Sequence, residues 1–180
     1  MLDFEKSKTY ANLMAAFAGE SQARNKYTYY GKLAKQAGYE QISRIFNETA
    51  DNERAHAEIW FKLLQGEKVP STAESLKDAA AGEWYEFSEM YKQFSLDAEQ
   101  EGYAEIAALF KMVGNIEKEH NERFIKLCEN IENGQVFERK EIKIWKCLNC
   151  GHIHVGEAAP KSCPVCAHPQ SYFEVKADNY

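Results

Sequence analysis

Two short patterns, Glu53-x-x-His56 and Glu117-x-x-His120, each place a carboxylate and an imidazole three residues apart. On an α-helix that spacing puts both side chains on one face, pointing the same way. A single copy is common on solvated helices; two copies at matching points of a repeat are not. A further carboxylate precedes each pattern in a small, apolar setting, Ala18-Gly19-Glu20 and Ala81-Gly82-Glu83. Carboxylate and imidazole donors suit iron or manganese, and buried carboxylates are costly without a cation. A second candidate site is made of cysteines, in Cys147-Leu148-Asn149-Cys150 and Cys163-Pro164-Val165-Cys166. Two such knuckles close into a tetrahedral thiolate cage that accepts either zinc or a single iron.

Residues 1 to about 133 contain one proline, Pro70, and long runs of helix formers with apolar residues three and four apart. Shifting the sequence by 64 lays Gln36, Gly38, Tyr39, Ile42 and Phe46 on Gln100, Gly102, Tyr103, Ile106 and Phe110. The same shift lays Glu53 and His56 on Glu117 and His120. Each half is therefore a helix, a glycine break and a second helix. The spacing predicts helices over 4–36, 39–65, 73–100 and 103–132, with Gly66 to Thr72 joining the halves. Glu20 and Glu53 lie at nearly equal distances from the break at Gly38, and Glu83 and Glu117 from Gly102, so each pair sits level across its hairpin. One Glu from each of two helices and Glu-x-x-His from the other two is the di-iron carboxylate set of ferritin-like bundles. From Gly134 the sequence changes to β-branched and aromatic alternation, Ile142-Lys143-Ile144-Trp145, then cysteines and prolines. The expected organisation is mainly α, a four-helix bundle over 1–138 followed by a small β and loop metal domain over 139–180.

The two halves are not identical. Glu86 lies one short turn beyond Glu83 on the same face, and its repeat counterpart is Gln22 or Ala23. An added carboxylate on one side makes the two metal positions inequivalent. The offset between halves also slips, from 63 for Glu20 and Glu83 to 64 for Tyr27 and Tyr91, which predicts a π-bulge in the third helix. Tyr27 and Tyr91 stand two turns from their glutamates, as partners that hydrogen-bond to ligands or as ordinary half-buried tyrosines. Cys128 falls on Leu64 in the repeat and reads as a small buried hydrophobe. His152, His154 and His168 are not needed as ligands. Attachment to a redox-active bundle favours iron over zinc in the cysteine cage, since iron passes electrons and zinc does not.

Composition narrows the function classes. A formal net charge of -6 argues against nucleic acid as a partner. No window approaches the apolar length that spans a bilayer. The start, Met1-Leu2-Asp3-Phe4-Glu5-Lys6, has no apolar signal region, so a cytoplasmic location is expected, and clustered cysteines in a reducing compartment point to metal.

These residues resemble the rubrerythrin family over nearly the whole chain. The matching stretches are Phe17 to Asn25 (FAGESQARN), Glu48 to His56 (ETADNERAH), Gly82 to Phe87 (GEWYEF), Ile116 to His120 (IEKEH), and the two knuckles ending Cys166-Ala167-His168-Pro169. A true rubredoxin has glycine where this chain has Ala167, and a longer gap between its knuckles; both departures are usual in the family. The resemblance implies a peroxidase that reduces hydrogen peroxide, with two iron ions in the bundle and one iron ion in a rubredoxin-like domain, although zinc can take that place in preparations. It implies that Glu53 and Glu117 bridge the irons, that Glu20 and Glu83 are terminal ligands, and that His120 binds on the Glu83 side. It further implies that His56 and Glu86 exchange on oxidation, and that Cys147, Cys150, Cys163 and Cys166 relay electrons from an external reductase. Two rivals belong to other classes: a ferroxidase that handles iron, and a non-catalytic bundle displaying a zinc ribbon.

Chain reach bears on assembly. Bringing Glu53 and Glu83 together about a two-fold axis requires the second and third helices to run parallel, with ends about 35 Å apart at a rise of about 1.5 Å per residue. The seven residues from Gly66 to Thr72 reach only about 25 Å when fully extended. A homodimer with helical hairpins swapped between chains resolves the conflict; frayed helix ends are the alternative.

Overall fold

The computed structural model describes residues 3–66 and 68–179. Met1 and Leu2 of the amino-terminal segment, Glu67 of the linker and Tyr180 lie outside the described residues. The chain divides into two compact units, Met1–Val69 and Pro70–Tyr180.

The first unit is a helical hairpin of α1 (Lys8–Gln36) and α2 (Glu40–Leu64), packed along each other. A short 3-10 turn over Phe4–Lys6 precedes α1, which starts at Lys8 rather than residue 4 because the Ser7 hydroxyl caps it by accepting from the Tyr10 N–H at 3.0 Å. The second unit opens with α3 (Thr72–Tyr85). Pro70 ends the linker, and Ser71 and Glu74 form a reciprocal capping box. A π-helical segment, Glu86–Met90, then leads into α4 (Tyr91–Gln100), and α5 (Ala104–Glu132) packs back along all three. The bulge expected from the slipped repeat is therefore present, and it begins at Glu86.

The repeat is visible in three dimensions. Gly38 and Gly102 adopt φ of +84° and +85°, and the next residues, Tyr39 and Tyr103, donate back to Ala34 O and Ala98 O at 2.9 and 2.8 Å. The same aromatic pair recurs, Tyr27 with Phe46 and Tyr91 with Phe110, at ring separations of 6.1 and 5.9 Å. Buried residues on α2 (Ser43, Ala50, Ala57) and α5 (Ala107, Gly114, Asn121, Cys128) recur every seven positions, giving each hairpin a narrow seam of small side chains. Cys128 is buried, as the repeat predicts.

After α5 the chain forms a three-stranded antiparallel sheet in the order β2-β1-β3, from β1 (Glu138–Cys147), β2 (Ile153–Ala158) and β3 (Phe173–Val175). Trp145 is fully buried among Cys147, Ala159, Cys163 and Phe173, and its indole N–H donates to Gly156 O at 2.9 Å. The chain is thus mainly helical, four long helices when α3, the π segment and α4 are counted as one, followed by a small β region carrying the cysteines. Among the described residues no helix is long and apolar enough to cross a membrane.

Candidate metal centres

Each hairpin builds one carboxylate–imidazole cluster. Glu20 on α1 meets Glu53 and His56 on α2, and Glu83 on α3 meets Glu117 and His120 on α5; in each, the ligand atoms lie within 4.8 Å of one another. His56 Nδ1 stands 2.9 Å from Glu53 Oε2 and 3.9 Å from Glu20 Oε1. His120 Nδ1 stands 2.8 Å from Glu117 Oε2 and 3.6 Å from Glu83 Oε2. Both imidazoles therefore turn Nδ1 towards the carboxylates. The carboxylates are sheltered, with side-chain exposures of 16% at Glu53 and 13% at Glu117.

The electrostatics of the second cluster favour a cation. Burial raises the pKa of Glu83, and the neighbouring Glu117, by hydrogen bonding and by charge, raises it further, with Glu86 adding to the effect; His120 opposes it. Two sheltered carboxylates and an imidazole facing one point make a hard donor set suited to iron or manganese.

Glu86, half-buried at the head of the π segment, is not among the ligand atoms gathered in either cluster. Its charge nevertheless reaches both Glu83 and Tyr91. Tyr91 opens α4 directly after the π segment. Burial raises its pKa first, followed by the charges of Glu86, Glu117 and Glu83, so its phenol keeps its proton beside the carboxylates. The backbone of α5 reaches Tyr91 closely through Gly114, where an added Cβ would stand 3.2 Å from the Tyr91 Cβ. Tyr27 is half-buried and packs on Phe46 in the first hairpin.

The four cysteines meet at the end of the sheet. The Sγ atoms of Cys147 and Cys166 are 3.7 Å apart and those of Cys150 and Cys163 3.6 Å. Four sulfurs each about 2.3 Å from a central ion stand about 3.8 Å apart, so the cage fits a tetrahedral metal. Cys147 N–H donates to His152 O, and Cys163 N–H to His168 O, closing each knuckle at 2.9 and 2.8 Å. The thiols divide their charge unequally. Cys166 is drawn down to about 6, first by the His168 backbone N–H. The His152 backbone N–H favours the Cys150 thiolate, yet burial and the other three thiols push it up to about 12. A cation removes that competition. His168 lies against Tyr172 with ring centroids 4.4 Å apart, outside the cage.

One contact beside these sites was not foreseen from the motifs: buried Asn121, next to His120, donates to Ala80 O on α3 at 2.7 Å. Its only trace in the sequence is an Asn where the other half of the repeat has Ala57.

Comparison with known proteins agrees with this geometry. Residues 11–128 match the family described as Rubrerythrin, and residues 145–174 match "Rubrerythrin, rubredoxin-like domain". Among curated proteins the chain is 47% identical to Rubrerythrin-1 of Clostridium acetobutylicum, covering 100% of both chains. It is 46% identical to rubrerythrin of Porphyromonas gingivalis, covering 97% of this chain and 92% of that one. It is 44% identical to rubrerythrin of Nitratidesulfovibrio vulgaris, again over 100% of both. With paired carboxylate–histidine clusters on a helical repeat and a four-cysteine cage later in the sequence, this chain belongs to the rubrerythrin family.

Proposed function

We propose that the chain is a non-haem di-iron peroxidase that reduces hydrogen peroxide to water in cytoplasmic oxidative-stress defence. The observation that carries this reading is the duplicated Glu and Glu-x-x-His cluster, made unequal by Glu86 at the head of a π segment. When bound, an iron pair supplies one electron per ferrous ion as the O–O bond breaks, with two protons taken up and two waters formed. Glu20, Glu53, His56, Glu83, Glu117 and His120 would hold the pair, with Glu53 and Glu117 as the carboxylates shared between the two ions. Glu86 would offer the iron pair a further carboxylate as an alternative to His56 when the metal is oxidised. Tyr27 and Tyr91 hydrogen-bond to the carboxylates and steady them as they shift between binding modes. Residues 1–138 supply this centre, and residues 139–180 would hold one iron through Cys147, Cys150, Cys163 and Cys166, a site able to supply single electrons taken from an external reductase.

The working form in this proposal is a homodimer in which the first hairpin of one protomer packs on the second hairpin of its partner, so that each centre joins two chains. In support, each hairpin leaves large apolar side chains half exposed, Ile45 and Ile59 on α2 and Leu109, Met112 and Ile116 on α5. Elemental analysis with a visible spectrum tests the function. Three irons per chain, a reducible iron–thiolate band and catalytic loss of peroxide are expected; zinc alone in the cage and no peroxide consumption would refute it.

A further inference from the structure

The buried seam of α5 is made of small or apolar residues except at Asn121, which is 6% exposed. Its counterpart in the first hairpin is Ala57, so packing along the seam does not require an amide there. A buried amide is costly unless hydrogen-bonded, and Asn121 Nδ2 is satisfied by Ala80 O at 2.7 Å. That bond ties together the two helices that carry the second cluster. It leaves α5 one residue after His120 and reaches α3 three residues before Glu83.

Its position matters because the regular α-helix ends just beyond Glu83. The π segment starts at Glu86, and any change in its register would draw Glu83 along the axis of α3. A bond at Ala80 anchors the ligand side of that discontinuity. The first hairpin has no amide at the matching place, where Ala57 stands.

We propose that Asn121 is a positioning residue that fixes the register of α3 on α5, holding Glu83, Glu117 and His120 as a rigid metal position while the Glu20, Glu53 and His56 position remains able to change ligands. This inference rests on the metal-centre reading above. The test uses full-length protein with iron already in the four-cysteine cage, titrated anaerobically with Co(II). Wild type should bind two Co(II) per chain at the carboxylate sites. Asn121→Ala should weaken one of the two by about tenfold, the low end of what losing a supporting hydrogen bond at a metal site costs, and weaken the other, which shares only the bridging carboxylates with it, by clearly less. Asn121→Ser should do the same: serine is too short to span to α3, and Ser43 shows that the equivalent seam of α2 accommodates it. Ser95→Ala is the control. It removes another buried bond of this hairpin, Ser95 Oγ to Ala107 O at 3.1 Å, and should lower the melting temperature without changing either Co(II) affinity. Wild-type affinities in both Asn121 variants, or an equal loss in Ser95→Ala, would overturn the proposal. A wild-type protein that binds no Co(II) at the carboxylates would instead remove the metal-centre reading beneath it.

Discussion

His120 Nδ1 lies 2.8 Å from Glu117 Oε2, and sixty-four residues earlier His56 Nδ1 repeats the contact with Glu53 Oε2 at 2.9 Å. Near-identical half-sites on one chain would give a symmetric metal pair. The symmetry is broken by the residue after α3, Glu86, whose charge reaches Glu83 and Tyr91 in the second half.

Replacing Glu86 with Ala should therefore leave metal content unchanged and slow peroxide turnover by about tenfold or more, since Glu86 stands outside both three-residue clusters. Iron analysis and steady-state rates on the same preparation check this. Loss of metal would make Glu86 a structural ligand and end its role in exchange.

Cys163→Ser should separate the two reactions. A fully reduced bundle should still be oxidised once by peroxide, while turnover supported by a reductase stops, because the cage no longer holds iron with four thiolates. Undiminished turnover would show that electrons enter the bundle directly.

Much of this was legible in the sequence because the repeat doubles every signal. The glycine breaks, the level glutamates and the π segment all follow from comparing one half with the other, and the bulge was detectable only as a slip from 63 to 64. The start of α1 at Lys8 was missed because Ser7 competes as a cap with the earlier apolar residues. Asn121 was missed because a polar residue in a helix carries no sign of its partner 41 residues away. The order of the sheet, with β1 central, was also beyond reach, since strand alternation fixes faces and not neighbours.

Ala167 gives a stability prediction. Among the described residues it is the one non-glycine with positive φ, at 59°, where its Cβ crowds the backbone. Ala167→Gly should stabilise the cysteine domain by about 1 kcal/mol, measured as a later denaturation midpoint followed by the iron–thiolate band. An earlier midpoint would mean that the methyl contributes more by packing than it costs.

Metal-free protein should respond to pH through Glu83. Its folded pKa is raised above 4.5, so the folded state holds the proton more tightly than the unfolded chain, and stability falls as pH rises from about 4.5 through the raised value. Denaturation midpoints across that range should show this slope in the wild type and a flatter one in Glu83→Gln. Equal slopes would show that crowding by Glu117 is not felt in solution.

Assembly can be tested by complementation. One variant disables the first cluster (Glu53→Ala with His56→Ala) and the other the second (Glu117→Ala with His120→Ala). Refolded together, swapped dimers regain one intact site per mixed pair, about a quarter of wild-type activity for random pairing. No recovery would place each site within one chain.

The most direct test of the central claim is stopped-flow mixing of the fully reduced, anaerobic protein with hydrogen peroxide and, separately, with oxygen. Peroxide should oxidise the bundle much faster than oxygen does, with one peroxide consumed per iron pair. Comparable rates with the two oxidants would contradict it and favour a ferroxidase.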